Sequence, residues 1–320
     1  MSDRVRWALL STAQINRAIL NGVRLSERAE VIAVGSRDQS RADAYARARG
    51  IPRAYGSYEA VLADDDVEVV YVSLPNSLHV EWSIRALEAG KHVLCEKPLD
   101  RRTDAVERAF DTAERAGRLL MEAFMYRHHP QTKEAAELVA GGAIGELRQV
   151  RSQFSFTLTD DANVRLVPEL DGGALMDLGC YCISMQRLLA GEPELVFGRQ
   201  RIGPTGVDLG FTALLQFRND VLGEFHCGFD LPPASGLEAI GSEGTLVVPD
   251  PIRIRDPHIL LDGERIEVED VDRYSLEVEN FSAAVRGHAT PLLGREDAVA
   301  QARVIEALYR SAATGAALSL

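Results

Sequence analysis

Over residues 5–125, short apolar runs alternate with longer amphipathic stretches, the rhythm of stacked βαβ units and hence of a parallel sheet. Val5 to Leu10 predicts a first strand, Ile15 to Val23 a helix, and Glu30 to Val34 a second strand ending at Gly35-Ser36-Arg37. A helix over Ser40 to Arg49 is closed by Gly50, with Pro52 just beyond, as helix ends often are. Val67 to Leu74 is almost wholly β-branched or aromatic and stops at Pro75-Asn76, so it reads as a buried parallel strand. Val80, Ile84 and Leu87 share one face of a helix capped by Gly90, and His92 to Cys95 begins a strand that runs into Glu96-Lys97-Pro98.

After residue 123 the pattern changes to period two. Leu147 to Leu158 alternates Gln149, Arg151, Gln153 and Ser155 with Val150, Phe154 and Phe156, which predicts a sheet covered on one face only. Phe211 to Phe217 and Val221 to Phe229 flank the turn signal Arg218-Asn219-Asp220, while Leu237 to Ile240 and Thr245 to Val248 flank Gly241-Ser242-Glu243-Gly244. The chain therefore divides at Ala123. Residues 1–122 form an α/β domain with a doubly wound parallel sheet of the Rossmann type, and residues 123–320 an α+β domain on a large, mostly antiparallel open sheet.

A length of 320 residues suits two such domains. The balance of 35 basic against 48 acidic residues gives a formal charge of −13, which argues against nucleic acid or an anionic membrane as the main partner. No stretch of about 18 uncharged apolar residues occurs, and Met1-Ser2-Asp3-Arg4 lacks the apolar core of a signal peptide, so the expected location is cytoplasmic. Cys95, Cys180, Cys182 and Cys227 have no metal-finger spacing and are expected to be reduced and buried. The pair His128-His129 points apart on any regular element, and no acidic residue stands at a helpful spacing, so no metal is expected. Asp64-Asp65-Asp66 reads as a solvated loop before the next strand.

The candidate chemistry lies at the carboxyl ends of the first domain's strands, where a doubly wound sheet binds its ligand. The first turn, Ser11-Thr12-Ala13-Gln14-Ile15-Asn16, stands where a G-x-G-x-x-G/A fingerprint would hold pyrophosphate on helix N–H groups, with Ser, Ala and Asn in the expected glycine or small positions. Alone it is also the form of an ordinary strand-to-helix turn. Ala13 would meet a positive φ only at a cost. At the end of the second strand, Ser36-Arg37 replaces the carboxylate of NAD sites, and Arg41 follows a helical turn later. A guanidinium with a neighbouring hydroxyl suits a 2′-phosphate, so the expected cofactor is NADP rather than NAD.

Removing a hydride from an alcohol requires a group that takes the hydroxyl proton. Lys97, at the end of a buried strand with Pro98 fixing the backbone after it, is one candidate. A helix starting near Gly173 would place Asp177 and Tyr181 at i and i+4 on one face, offering a carboxylate for substrate hydroxyls and a phenol as acid or base. Taken singly, a surface lysine, a solvated aspartate and a tyrosine at a core edge would explain these residues as well.

Together, Glu96-Lys97-Pro98, the run from Glu122 through Tyr126, Arg127, His128 and His129 to Gln131, and the run from Gly172 through Asp177 to Tyr181 resemble the glucose-fructose oxidoreductase/inositol dehydrogenase (Gfo/Idh/MocA) family. Within it the chain is most similar to the branch of NADP-dependent D-xylose dehydrogenases and dimeric dihydrodiol dehydrogenases, which carry tyrosine where inositol dehydrogenases carry histidine. The resemblance implies hydride transfer between NADP and a sugar-like polyol. It implies Lys97 and Tyr181 in proton transfer, Asp177 in substrate orientation, His79 near nicotinamide and substrate, and Leu74, Pro75, Asn76 and Glu96 along the cofactor. Tyr126, Arg127 and His128 are expected at the substrate, and a homodimer or homotetramer as the assembly. A keto-sugar reductase, a dihydrodiol or dicarbonyl oxidoreductase and a non-catalytic dinucleotide-binding regulator are the alternatives. The family's Gly-Gly-Gly is here Asp171-Gly172-Gly173, which leaves the substrate range open.

Overall fold

A computed structural model of the protein describes residues 4–320; Met1-Ser2-Asp3, on which the reading of the amino terminus rests, lie outside them. The chain forms two compact units. The first comprises the described chain to Asp100, Asp104–Met125 and Val271–Val299, the second Arg101–Thr103, Tyr126–Asp270 and Ala300–Leu320.

The first unit is built on six parallel strands in the order β3-β2-β1-β4-β5-β6. They are β1 (Val5–Leu10), β2 (Ala29–Gly35), β3 (Arg53–Tyr55), β4 (Val69–Val72), β5 (His92–Glu96) and β6 (Leu120–Ala123). All four residues of β4 are buried, because helices cover both faces of a sheet wound this way. The strand is shorter than its apolar run. Ahead of it, Glu68 pairs with Arg286 at 2.8 Å, and after it Ser73 and Leu74 leave the ladder to bond within the site.

The helix Arg273–Val285 belongs to this unit, so the unit is not the continuous stretch ending at residue 122 that sequence order suggests. Close packing is the reason. A Cβ on Gly22 of the helix Asn16–Leu25 would lie 2.7 Å from the Tyr274 backbone, and Trp7 donates to Ser282 Oγ at 3.2 Å while its ring meets Phe281 edge-on at 5.8 Å. The acidic run is a loop ahead of β4 in which Asp65 and Asp66 are exposed, as expected, while Asp64 alone is drawn in. The Asp64 carboxylate is gripped by both Arg53 N–H···O contacts at 2.8 Å and by the Tyr55 hydroxyl at 2.9 Å, and Lys91 donates to its carbonyl at 2.7 Å.

The second unit carries nine strands in the order β14-β13-β12-β11-β7-β10-β9-β8-β15. They are β7 (Leu147–Thr157), β8 (Pro193–Ile202), β9 (Asp208–Phe217), β10 (Leu222–Gly228), β11 (Asp230–Gly241), β12 (Thr245–Val248), β13 (His258–Leu261), β14 (Glu264–Glu267) and β15 (Leu318–Ser319). Every neighbouring pair is antiparallel except β7 and β10. Val150 and Phe154 face the core and Arg151 faces out as expected, but the alternation fails at the strand's end, where Ser155 is buried and donates to the Pro232 carbonyl at 2.7 Å and Phe156 is only half-buried. On the outer face Leu214 and Leu222 are each more than half exposed. The β9–β10 turn places Asn219 and Asp220 at φ 58° and 57°, the left-handed pair a tight hairpin favours. Strand β11 begins earlier than expected, and its register breaks between Asp230 and Ala234, where Pro232 and Pro233 have no N–H for the ladder. Cys95, Cys180, Cys182 and Cys227 are free and buried. Among the described residues no helix is long and apolar enough to cross a membrane, and no group of three or more His, Cys, Asp or Glu side chains could hold a metal ion.

Candidate active site

The turn after β1 takes a glycine-like conformation without a glycine. Ser11 sits at φ 143°, a region that a side chain enters at a cost of about 1–3 kcal/mol. Buried hydrogen bonds hold it there. Its hydroxyl lies 3.0 Å from the Ser73 carbonyl and 2.8 Å from Ser73 Oγ, and accepts from the Ala13 N–H at 3.0 Å. Asn16 donates to the Ser11 carbonyl at 2.8 Å and accepts from the Ser73 hydroxyl at 2.7 Å. The positive φ expected to trouble Ala13 therefore falls on Ser11. Asn16 faces inward with no exposed surface and serves the turn from beneath. Thr12, Ala13 and Ile15 remain half-buried at the start of the helix Asn16–Leu25. Ser73 is the one polar residue late in an otherwise apolar run, and that is the signal by which the sequence could have revealed it.

At the end of β2, Ser36 is buried, while Arg37 and Arg41 are exposed. The next carboxylate, Asp38, caps the helix Gln39–Arg49, accepting from the Arg41 N–H and the Ser40 hydroxyl at 2.7 Å each. Ser40 first, then the Arg41 N–H, hold its pKa below the usual carboxylate range. Asp38 is thus engaged by its own helix.

Beyond β4 and β5, Leu74 is buried and Pro75 and Asn76 are half-buried. His79 is buried, with Nε2 at 2.8 Å from the Leu74 carbonyl and Nδ1 at 2.8 Å from the Pro98 carbonyl. Burial lowers its pKa against the raising effect of those two carbonyls. Both ring nitrogens face backbone carbonyls, so His79 bridges the two strand-end loops. Tyr71 donates to Glu96, and burial followed by the Glu96 charge pushes its pKa well up. Lys97 is half-buried and precedes Pro98 through a cis bond. Glu122, a buried residue of β6 that sequence reasoning assigned no role, accepts from the Leu99 N–H at 2.8 Å and so fixes the segment that follows Lys97.

In the second unit, Asp177 lies on a π-helical turn, Leu175–Gly179, that runs into the α-helix Cys180–Ala190 carrying Tyr181. The Cys180 N–H reaches back five residues to the Leu175 carbonyl, so the expected regular i, i+4 helix is locally widened. Arg165 Nε donates to Asp177 at 2.6 Å. The Tyr181 ring is wedged edge-on against Tyr126 at 5.9 Å and Phe154 at 5.7 Å, and the Tyr126 hydroxyl donates to Ser184 at 2.7 Å. Arg127 is half-buried. His128 is 2% exposed, and burial, then Lys133, lowers its pKa to about 3, so its ring is neutral. His129 instead caps the helix Pro130–Ala140 by accepting from the Gln131 N–H at 3.1 Å. Arg165 was missed because nothing in the loop's sequence marks it as the partner of a residue twelve positions on.

Residues 5–124 match the model of an oxidoreductase family with an NAD-binding Rossmann fold, and residues 132–247 that of the GFO/IDH/MocA C-terminal domain. The chain is 41% identical to a D-xylose 1-dehydrogenase (NADP(+)) of Haloferax volcanii, covering 98% of this chain and 99% of that protein. It is 34% identical to the trans-1,2-dihydrobenzene-1,2-diol dehydrogenase of Bos taurus over 77% of this chain and 75% of that one. Among solved structures, a 3-ketoreductase from Actinomadura kijaniata in complex with NADP and TDP-benzene superposes with a TM-score of 0.92 at 32% identity, covering 96% and 98% of the two chains.

Proposed function

Because this chain belongs to the GFO/IDH/MocA family of oxidoreductases, we propose that it oxidises the carbinol carbon at position 1 of an aldose such as D-xylose or D-glucose, with NADP as the acceptor. It is an NADP-dependent oxidoreductase of a family acting on CH–OH groups of sugar-like substrates. Likeness to the D-xylose dehydrogenase along the whole chain carries the aldose reading. Reduction of a keto-sugar by the same residues is the second reading, favoured by the likeness to the ketoreductase.

The residues present fit NADP. Arg37 and Arg41 are exposed beside Ser36, and the neighbouring Asp38, which would repel a 2′-phosphate, is turned into its helix cap. Ser11, Thr12, Ala13 and Ile15 would lie along the pyrophosphate, and Leu74, Pro75, Asn76 and Glu96 along the nicotinamide half. When bound, NADP supplies the hydride acceptor, and in the reverse direction NADPH the donor. Tyr181 and Lys97 take part in moving the substrate's hydroxyl proton, and Asp177 orients a neighbouring hydroxyl. Tyr126, Arg127 and His128 wall the substrate, with His128 supporting from within.

The test is NADPH absorbance with a panel of aldoses and keto-sugars, followed by Lys97→Met and Tyr181→Phe. Each substitution is expected to lower kcat by about 100-fold or more while NADP binding is retained, the usual scale for a lost proton-transfer group. Near-full turnover in both variants discards the assignment.

A further inference from the structure

The π-helical turn that carries Asp177 has no cap of its own, since Ala174 at its start offers no side-chain acceptor. The acceptor comes from another element. The Leu175 N–H donates at 2.7 Å to Oδ2 of Asp208, the first residue of β9, which is 3% exposed. The other carboxylate oxygen accepts from the Tyr309 hydroxyl at 3.0 Å. Tyr309, on the helix Arg295–Thr314, is itself braced by the edge of Phe211 at 5.9 Å and by the Arg101 guanidinium 5.6 Å from its ring centre, and Arg101 pairs with Asp171 at 2.8 Å. The approach of this carboxylate also dictates the local sequence. Gly173 has φ +128°, and a Cβ there would stand 2.2 Å from Asp208 Oδ1.

We infer that Asp208 is a positioning residue: its carboxylate, held by Tyr309, caps the turn bearing Asp177 and the helix bearing Tyr181 and thereby fixes where those two side chains stand. The inference rests on the reading that Asp177 and Tyr181 act on the substrate.

The charge of this cap is sensitive to pH. The titratable and charged groups facing Asp208 are Tyr309 from the last helix, Cys227 from β10 and Arg101 across the Tyr309 ring. Burial raises the Asp208 pKa to about 6, against the lowering effect of the Leu175 N–H and then the Tyr309 hydroxyl. A hydrogen bond to an ionised carboxylate is about twice as strong as one to a neutral group, so protonation weakens the cap. Stability moves the other way. A carboxyl whose pKa is higher folded than unfolded binds protons more tightly in the folded state, so its contribution to stability grows as pH falls from 6 toward 4. A purely structural role would make activity follow stability; a positioning role makes kcat fall while this group's contribution to stability rises.

The experiment compares wild type, Asp208→Asn and Tyr309→Phe in kcat against pH, with amide exchange of residues 174–182 and with Tyr181→Phe measured alongside. Asp208→Asn keeps the shape and loses the charge, so kcat is expected to drop about tenfold at pH 7.5 and its acid limb near pH 6 to disappear. Tyr309→Phe removes a bond that lowers the Asp208 pKa, so the limb should move upward with KM for NADP unchanged. An acid limb identical in all three proteins, with kcat within twofold, overturns the inference if Tyr181→Phe is inactive. If Tyr181→Phe is active, the functional reading fails separately, and amide exchange decides for Asp208. Exchange accelerated about tenfold in Asp208→Asn supports the cap, and unchanged exchange overturns it.

Discussion

The turn after β1 and the turn before Asp177 solve the same problem in opposite ways. Both place a chain reversal at a candidate ligand site where the family pattern calls for glycine. The first does without it: Ser11 takes the glycine conformation, and the buried side chains of Asn16 and Ser73 hold it there. The second keeps Gly172 and Gly173, because the space a side chain would need is already filled. A Cβ on Gly172 would stand 2.4 Å from the Arg165 carbonyl oxygen, and one on Gly173 would collide with Asp208. A glycine required only by its dihedral angle can thus be replaced by a residue that gains hydrogen bonds. A glycine required by room cannot, since no hydrogen bond offsets an overlap with atoms already packed there.

The largest effect is expected of Gly173→Ala. The alanine meets both the positive φ and the Asp208 carboxylate, so we expect a loss of about 3 kcal/mol or more in urea denaturation and turnover lowered by over 100-fold. Retention of wild-type stability would mean that the carboxylate can move aside and that the glycine is kept for some other reason.

Asn16→Ala probes the other turn. It strands the buried Ser11 carbonyl and leaves the Ser73 hydroxyl only the Ser11 hydroxyl as partner, and the expected cost is about 1–3 kcal/mol with NADP affinity reduced. The loss should be smaller than that of Gly173→Ala, because a missing partner is milder than an overlap. A midpoint unchanged in urea would show that water enters and replaces the amide.

These turns also mark how far the sequence could be read. Strand β4 was legible because a strand covered on both faces is apolar throughout, and the hairpin at Asn219-Asp220 because a left-handed pair has its own residue preferences. Lys97, Asp177 and Tyr181 stand out as a set only through the family resemblance that three motifs carry together. What escaped was decided by partners remote in sequence. Asp64 reads as one of three solvated acids until Arg53 and Tyr55 are seen on it. The helix Arg273–Val285 reads as part of the second domain until Gly22 lets it lie on the helix Asn16–Leu25. Asp208 reads as a polar residue before a strand, although its partners lie 33 positions upstream and 101 downstream. The π turn has no local signature, and the groups that grip it, Asp208 on the Leu175 N–H and Arg165 on the Asp177 carboxylate, come from outside it.

Ser11→Gly is expected to have the smallest effect and separates the two causes at the first turn most directly. Restoring glycine relieves the strained φ, worth about 1–3 kcal/mol, but it removes the hydroxyl that meets Ser73 and the Ala13 N–H and adds about 0.5–1 kcal/mol of chain entropy to the unfolded state. These terms oppose each other, so stability should stay within about 1 kcal/mol of wild type. Since Asn16 still holds the carbonyl of residue 11, NADP affinity should stay within about threefold. A loss as large as that of Asn16→Ala would assign the turn's shape to the serine hydroxyl. A gain of more than about 2 kcal/mol would mean that the backbone strain at Ser11 outweighs everything its side chain contributes.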